Sequence, residues 1–166
     1  LSGPQCLELV NALVFVLGQG EQVSFVVIEC LRWLCLNNDM RQCLLKESDC
    51  ITIMTCMALV AVTQGEQTSH SDDSAGAGNH MLVRSTIELF ALLFRLDRQE
   101  TLRALAQARA MKLLVRIRDS SSLGNHLGPQ MQGDVELLFE HLSLTRAGKR
   151  LLDRLSSSSV CQADAI

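Results

Sequence analysis

Aromatic residues are scarce in this chain: they make up 4% of its 166 positions, with no tyrosine and a single tryptophan. Strand-rich folds draw on Val, Ile, Tyr, Phe and Thr, so this shortage argues against a sandwich or barrel. Charge is sparse too, at 20% of residues with a net of -3. That balance excludes a basic surface for the phosphate backbone, and direct nucleic-acid binding is not expected. Long apolar runs are missing as well. The longest stretch with little polar interruption, "ITIMTCMALVAV" at 51–62, has 12 residues, against the roughly 20 needed to span a bilayer. No basic leader precedes "ALVFVL", so neither a membrane segment nor a signal peptide is expected.

Catalytic signatures are also lacking. The sequence holds no G-x-S-x-G, H-E-x-x-H, P-loop or dinucleotide fingerprint, and no obvious carboxylate pair in a plausible cleft. No enzymatic activity, cofactor or small-molecule substrate is expected. The seven cysteines (6, 30, 35, 43, 50, 56 and 161) form no C-x-x-C pair, and their number is odd. Six of them sit in apolar helical runs, so they read as reduced core residues of an intracellular protein, cytoplasmic or nuclear. His70, Asp72, Asp73 and His80 could in principle hold a cation, but no paired spacing on a rigid element supports a metal site.

What the chain does have is 48% apolar residues, mostly Leu, Val, Ala, Met and Cys, in a helical rhythm. A helix is expected over 4–17, with Pro4 in its first turn and Gly18 at its exit, and another over 21–36, although "FVVI" alone also fits a buried strand. Asn38 or Asp39 is expected to cap a short helix through Lys46, and Ser48 or Asp49 one over about 50–62. Further helices follow over 80–96, 98–110, 111–119, 134–144 and 146–155. Two polar stretches, 63–79 and 120–133, read as flexible loops, and 156–166 as a Ser-rich tail to a single domain over 1–166. The chain opens on Leu1 instead of Met, which suggests a segment of something longer.

The helical pattern repeats. Leu34-x-Leu36 with Leu44, Leu92-x-Phe94 with Leu102, and Leu142-x-Leu144 with Leu152 share an anchor spacing of ten residues. The helices leading to these corners share a second ladder: Leu7, Val10, Leu13; Ile51, Met54, Met57; Met111, Leu114, Ile117. "CLRWLCLNNDMRQCLLKESDCITIMTCM", and more loosely "LFALLFRLDRQETLRALAQARAMKLLVRI", resemble the armadillo repeat, in which a long helix ends in an Asn-rich corner before a short and then a medium helix. The resemblance covers about residues 5–155. It departs in spacing: the anchors lie 58 and then 50 residues apart, against about 42 in a regular repeat, and the excess falls on the two polar stretches. The fold class expected is all-α, a right-handed α-solenoid of about three armadillo-like repeats with two inserted loops.

That resemblance implies a protein–protein interaction scaffold, the partner being a helix or an extended peptide on the concave face. Armadillo proteins that bind extended peptides line this groove with Asn. The matching positions here are Trp33, Ala91 and His141, with Glu29, Ile87 and Leu137 one turn earlier, so the Asn ladder is not carried over. Trp33, Glu29, Asn37 and His141 are the partner-binding candidates, Trp33 either as a groove anchor or as packing between helices. Turn chemistry alone also accounts for Asn37, Asn38 and Asp39. Ser69, Ser71 and Ser74, in "SHSDDS", are candidate phosphate acceptors.

Overall fold

In a computed structural model of the chain, the backbone is described for residues 3–17, 19, 21–67, 73–150 and 152–154, and the side chains of 21, 22, 65–67, 73–78 and 121–127 are not described. Among the described residues the regular structure is entirely helical. The elements are α1 (Gly3–Val16), α2 (Glu21–Leu34), α3 (Asn38–Gln42), α4 (Cys50–Gln67), α5 (Asp73–Leu96), α6 (Arg98–Gln107), α7 (Ala110–Asp119) and α8 (Ser121–Ser143). "FVVI" is helical: it lies within α2, where apolar residues recur on one face over 14 residues.

Short polar side chains make the corners. Asn37 Oδ1 accepts from the backbone N–H of Asp39 at 3.0 Å and of Met40 at 3.2 Å, which makes Asn37 the cap of α3 in place of Asn38 or Asp39. Asp97 Oδ1 accepts from the Glu100 N–H at 3.2 Å and caps α6. Thr145 Oγ1 accepts from the Gly148 N–H at 3.0 Å at the start of the helical stretch 146–150. Gly148 is required there, because a Cβ would stand 2.0 Å from the Leu142 carbonyl oxygen. Between α6 and α7 the chain turns through Arg109, a non-glycine residue in the left-handed region with φ 57°. Helix α3 widens into a single π-helical turn over Cys43–Glu47, which buries Cys43, Leu44 and Leu45.

The helices pack in rows. α2 lies against α5 and α5 against α8; α1 lies against α4 and α4 against α7; the π-helical turn that follows α3 lies against α6. The core between the first two rows holds Val10, Ile28, Leu31, Met54, Phe90, Leu93, Met111 and Leu138, all of them buried. The 3.6-residue period accounts for α7, where Met111, Leu114 and Ile117 are buried on one face. Gln42 Nε2 donates to Asp97 Oδ2 at 3.0 Å and links the first corner to the second.

Three expectations are corrected. The stretch 63–79 is helical wherever described: α4 runs on to Gln67 and α5 begins at Asp73, leaving only 68–72 outside the described residues. The stretch 120–133 is helical as well from Ser121 onward, broken at Gly128 (φ 74°, ψ 164°) just before Pro129, so that α8 is two helical pieces. Of the anchor positions, Leu36 and Leu144 are 54% and 66% exposed, because α2 ends at Leu34 and α8 at Ser143, leaving both on the corners and off the packed faces. Residues 155–166 lie outside the described residues.

Candidate functional site

The row α2–α5–α8 carries a cavity of about 500 Å³, lined by Arg32 of α2, by Arg84, Glu88, Leu92 and Arg95 of α5, and by residues 128–131 and Asp134 of α8. Its chemistry is ionic. Arg32 donates from one nitrogen to Glu29 Oε1 and to Glu88 Oε2, at 2.8 Å each, and Arg84 Nε donates to the other oxygen of Glu88 at 2.9 Å. Arg95 pairs with Asp134, which is buried on α8. The i, i+4 spacing of Arg84 and Glu88 sets them on one face of α5. Gly128 brings the chain to the cavity wall in a conformation that only glycine adopts without strain.

The sequence-derived candidates Trp33, Glu29, Asn37 and His141 are not among the described residues that line this cavity. Trp33 is 74% exposed, so it projects to solvent and is not packed between helices. Glu29 is half-buried and held by Arg32. Asn37 is exposed, and its side-chain oxygen is engaged by two backbone N–H groups as a helix cap. His141 is half-buried: its Nδ1 donates to the Leu137 carbonyl at 2.8 Å, and its ring lies 5.0 Å from that of Phe94. Ala91 and Ile87, at the matching positions of α5, are fully buried, so the positions aligned with the family's Asn ladder do not share one open face. Ser69, Ser71, His70 and Asp72 lie outside the described residues; Ser74 and Asp73 are in the first turn of α5. No group of three or more His, Cys, Asp or Glu residues suited to a metal occurs among the described residues.

The cysteines are corrected in part. All six described thiols are free; Cys6, Cys35, Cys43 and Cys50 are buried as expected, but Cys30 and Cys56 are exposed, each on the outward face of its helix. Burial pushes the Cys50 thiol up to about 12. Burial raises Cys35 too, against the opposing pull of the Arg41 and Arg32 guanidinium groups, and it raises Cys43, helped by the neighbouring carboxylate of Glu47.

Sequence reasoning missed a second feature. Val23, Val26, Cys30 and Trp33, spaced 3-4-3 along α2, are all exposed and form one uncharged stripe. Their spacing was visible in the sequence, but a helix has one such stripe on every face, and only the packing reveals which is left open. No helix among the described residues is long and apolar enough to cross a membrane. No protein-family model matches the chain, and comparison with curated proteins and with solved structures finds no match.

Proposed function

We propose that this chain is an armadillo-like α-solenoid segment of an intracellular scaffold or adaptor, one that holds a partner protein on the open face of the α2–α5–α8 row. The order of the rows supports the reading. Each unit supplies one helix to the row α1–α4–α7 and one to the row α2–α5–α8, and the corners that end the units are closed by Asn37, Asp97 and Thr145, the polar caps that follow the three aligned anchors. Solenoids of this kind bury their apolar faces on their neighbours and leave one long face for recognition.

The single observation that carries the binding reading is the pairing of a roughly 500 Å³ cavity on that face with a tryptophan 74% exposed on the same helix as Arg32. An exposed Trp on a helix that also contributes Arg32 to an Arg-rich cavity has the composition of a binding hot spot. The arginines and carboxylates suit a polar partner segment, because a side chain entering the cavity can exchange one ion pair for another.

Chemical crosslinking of the protein in cells, followed by mass spectrometry, tests this. Crosslinked peptides from one defined partner should map to α2, α5 and α8, and the yield should fall several-fold for Trp33→Ala and for Arg84→Ala at unchanged melting temperature. Capture that ignores both substitutions would overturn the reading.

A further inference from the structure

Charge is layered in the cavity of the α2–α5–α8 row, with cations outward and carboxylates inward. The side chains of Arg84 and Arg95 are 61% and 53% exposed, whereas those of Glu88 and Asp134 are 24% and 9% exposed. Arg32 lies between, held by Glu29 and Glu88. A group that enters from solvent therefore meets guanidinium first.

The hydrogen-bonding capacity left over points the same way. Both oxygens of Glu88 are taken, Oε2 by Arg32 and Oε1 by Arg84, and the buried Asp134 receives Arg95 on Oδ1. A guanidinium carries several N–H donors and no acceptor. Arg32 uses two of its donors, on Glu29 and Glu88, and Arg84 and Arg95 use one each. No further hydrogen-bond partner of these three arginines occurs among the described residues. The cavity is thus rich in donors while its carboxylates are engaged. The ion pairs also hold the guanidinium groups in place, so less ordering is left for a ligand to impose.

We infer that the cavity binds a phosphate monoester, carried by a phosphorylated side chain of the partner segment, with Arg32, Arg84 and Arg95 as its donors. The inference rests on the partner-binding reading above and names the group that the partner must bring. A carboxylate is the poorer occupant, since Glu88 and Asp134 already fill the places where a carboxylate meets these arginines. A phosphate monoester brings three acceptor oxygens and a charge of about -1.5 to -2 at pH 7, and planar guanidinium groups match its edges with paired hydrogen bonds. The cavity volume of about 500 Å³ leaves room for the side chain that carries the phosphate, against Leu92 and Pro129. A long polyanion is disfavoured, because the cluster is three arginines in a chain whose net charge is -3.

Fluorescence anisotropy tests this with a fluorescein-labelled peptide, a single phosphoserine among glycines and alanines, titrated with the whole chain. Binding should saturate with a Kd on the order of 100 µM at low salt and weaken several-fold in about 0.5 M salt. The same peptide with Ser or Glu in place of phosphoserine should bind at least about tenfold more weakly. Arg84→Gln should weaken the phosphopeptide about fivefold or more at unchanged melting temperature. Arg95→Lys, which keeps the charge beside Asp134 and removes the planar fork, should weaken it about threefold. Arg103→Gln, at an exposed arginine of α6 outside the cavity, should leave binding unchanged.

No change in anisotropy up to about 1 mM protein would overturn the inference. Equal binding of the phosphoserine, serine and glutamate peptides would overturn it too, as would phosphopeptide binding that ignores both Arg84→Gln and Arg95→Lys. Free phosphoserine or inorganic phosphate should compete several-fold less well than unlabelled phosphopeptide; equal competition would give the cavity to a small phosphorylated molecule and overturn the peptide as its source. Tighter capture of single-stranded DNA or of phosphatidylserine vesicles, lost in Arg84→Gln, would overturn it in favour of a polyanion. A silent phosphopeptide with Arg84-dependent partner crosslinks in cells would remove the phosphate and leave the scaffold reading standing. Phosphopeptide binding without any partner crosslink in cells would remove the scaffold reading alone.

Discussion

Arg32 and Glu88 are 56 residues apart in the sequence, and their side chains meet at 2.8 Å across the α2–α5 interface. Arg32 also holds Glu29, and Glu88 also receives Arg84, so the four side chains form one chain of alternating charge at the cavity rim. Each is partly exposed, which limits what any one pair contributes. A double-mutant cycle on Arg32→Ala and Glu88→Ala should give a coupling of about 0.5–1 kcal/mol by urea denaturation, reduced in 1 M salt. A coupling of zero would leave the α2–α5 contact to apolar packing alone.

The caps give a sharper contrast. Asn37 satisfies two backbone N–H groups, so Asn37→Ala should lower stability by about 1 kcal/mol. Asn38 is exposed and accepts from the Arg41 guanidinium at the surface, and Asn38→Ala should stay within about 0.5 kcal/mol of the parent. A larger loss at Asn38 than at Asn37 would return the cap to Asn38, one of the two positions, with Asp39, that the sequence alone offered.

Trp33→Ala should change stability little, since its ring is already three-quarters in water. Phe90, the largest fully buried side chain, is the control: Phe90→Ala should cost about 3–5 kcal/mol through lost contacts and a cavity. Thermal denaturation followed by circular dichroism separates the two. A large loss at Trp33 would return it to the core.

Alkaline pH should find Cys50. In the folded state its thiol is raised from 9.0 to about 12, so the folded protein keeps a proton that the unfolded chain gives up. The stability tied to that proton is whole below pH 9 and declines as pH rises towards 12. Comparison of denaturation midpoints at pH 8 and pH 10.5 should show a smaller fall for Cys50→Ala than for the parent. Thiol labelling at pH 8 adds a check: among the described cysteines, Cys30 and Cys56 should react in the native protein, whereas Cys35, Cys43 and Cys50 should wait for unfolding.

The helices were legible because apolar side chains recur at 3.6 residues whatever covers them, as Met111, Leu114 and Ile117 illustrate. The polar stretches were misread because Ser, Gly and Asp lower helix propensity without forbidding a helix. "DSAGAGN" opens α5 because the apolar run from Leu82 onward is anchored in the core and the helix extends back from it. The cavity was illegible for a different reason. Arg32–Glu88 and Arg95–Asp134 join residues 56 and 39 apart, and no local rule connects such positions before the helices are stacked. Trp33 was found by residue type, whereas Val23 and Val26 were overlooked as ordinary core, since Val on a helix gives no sign of which side it faces.

Arg109 holds the joint between α6 and α7 in a backbone conformation that disfavours every side chain. A left-handed residue costs about 1–2 kcal/mol unless it is glycine, and glycine's greater freedom in the unfolded chain returns about 0.5–1 kcal/mol of that. Arg109→Gly should therefore raise the melting temperature slightly. In a molecule that closes three corners with the polar caps Asn37, Asp97 and Thr145, this is the joint that tightens when a side chain is taken away.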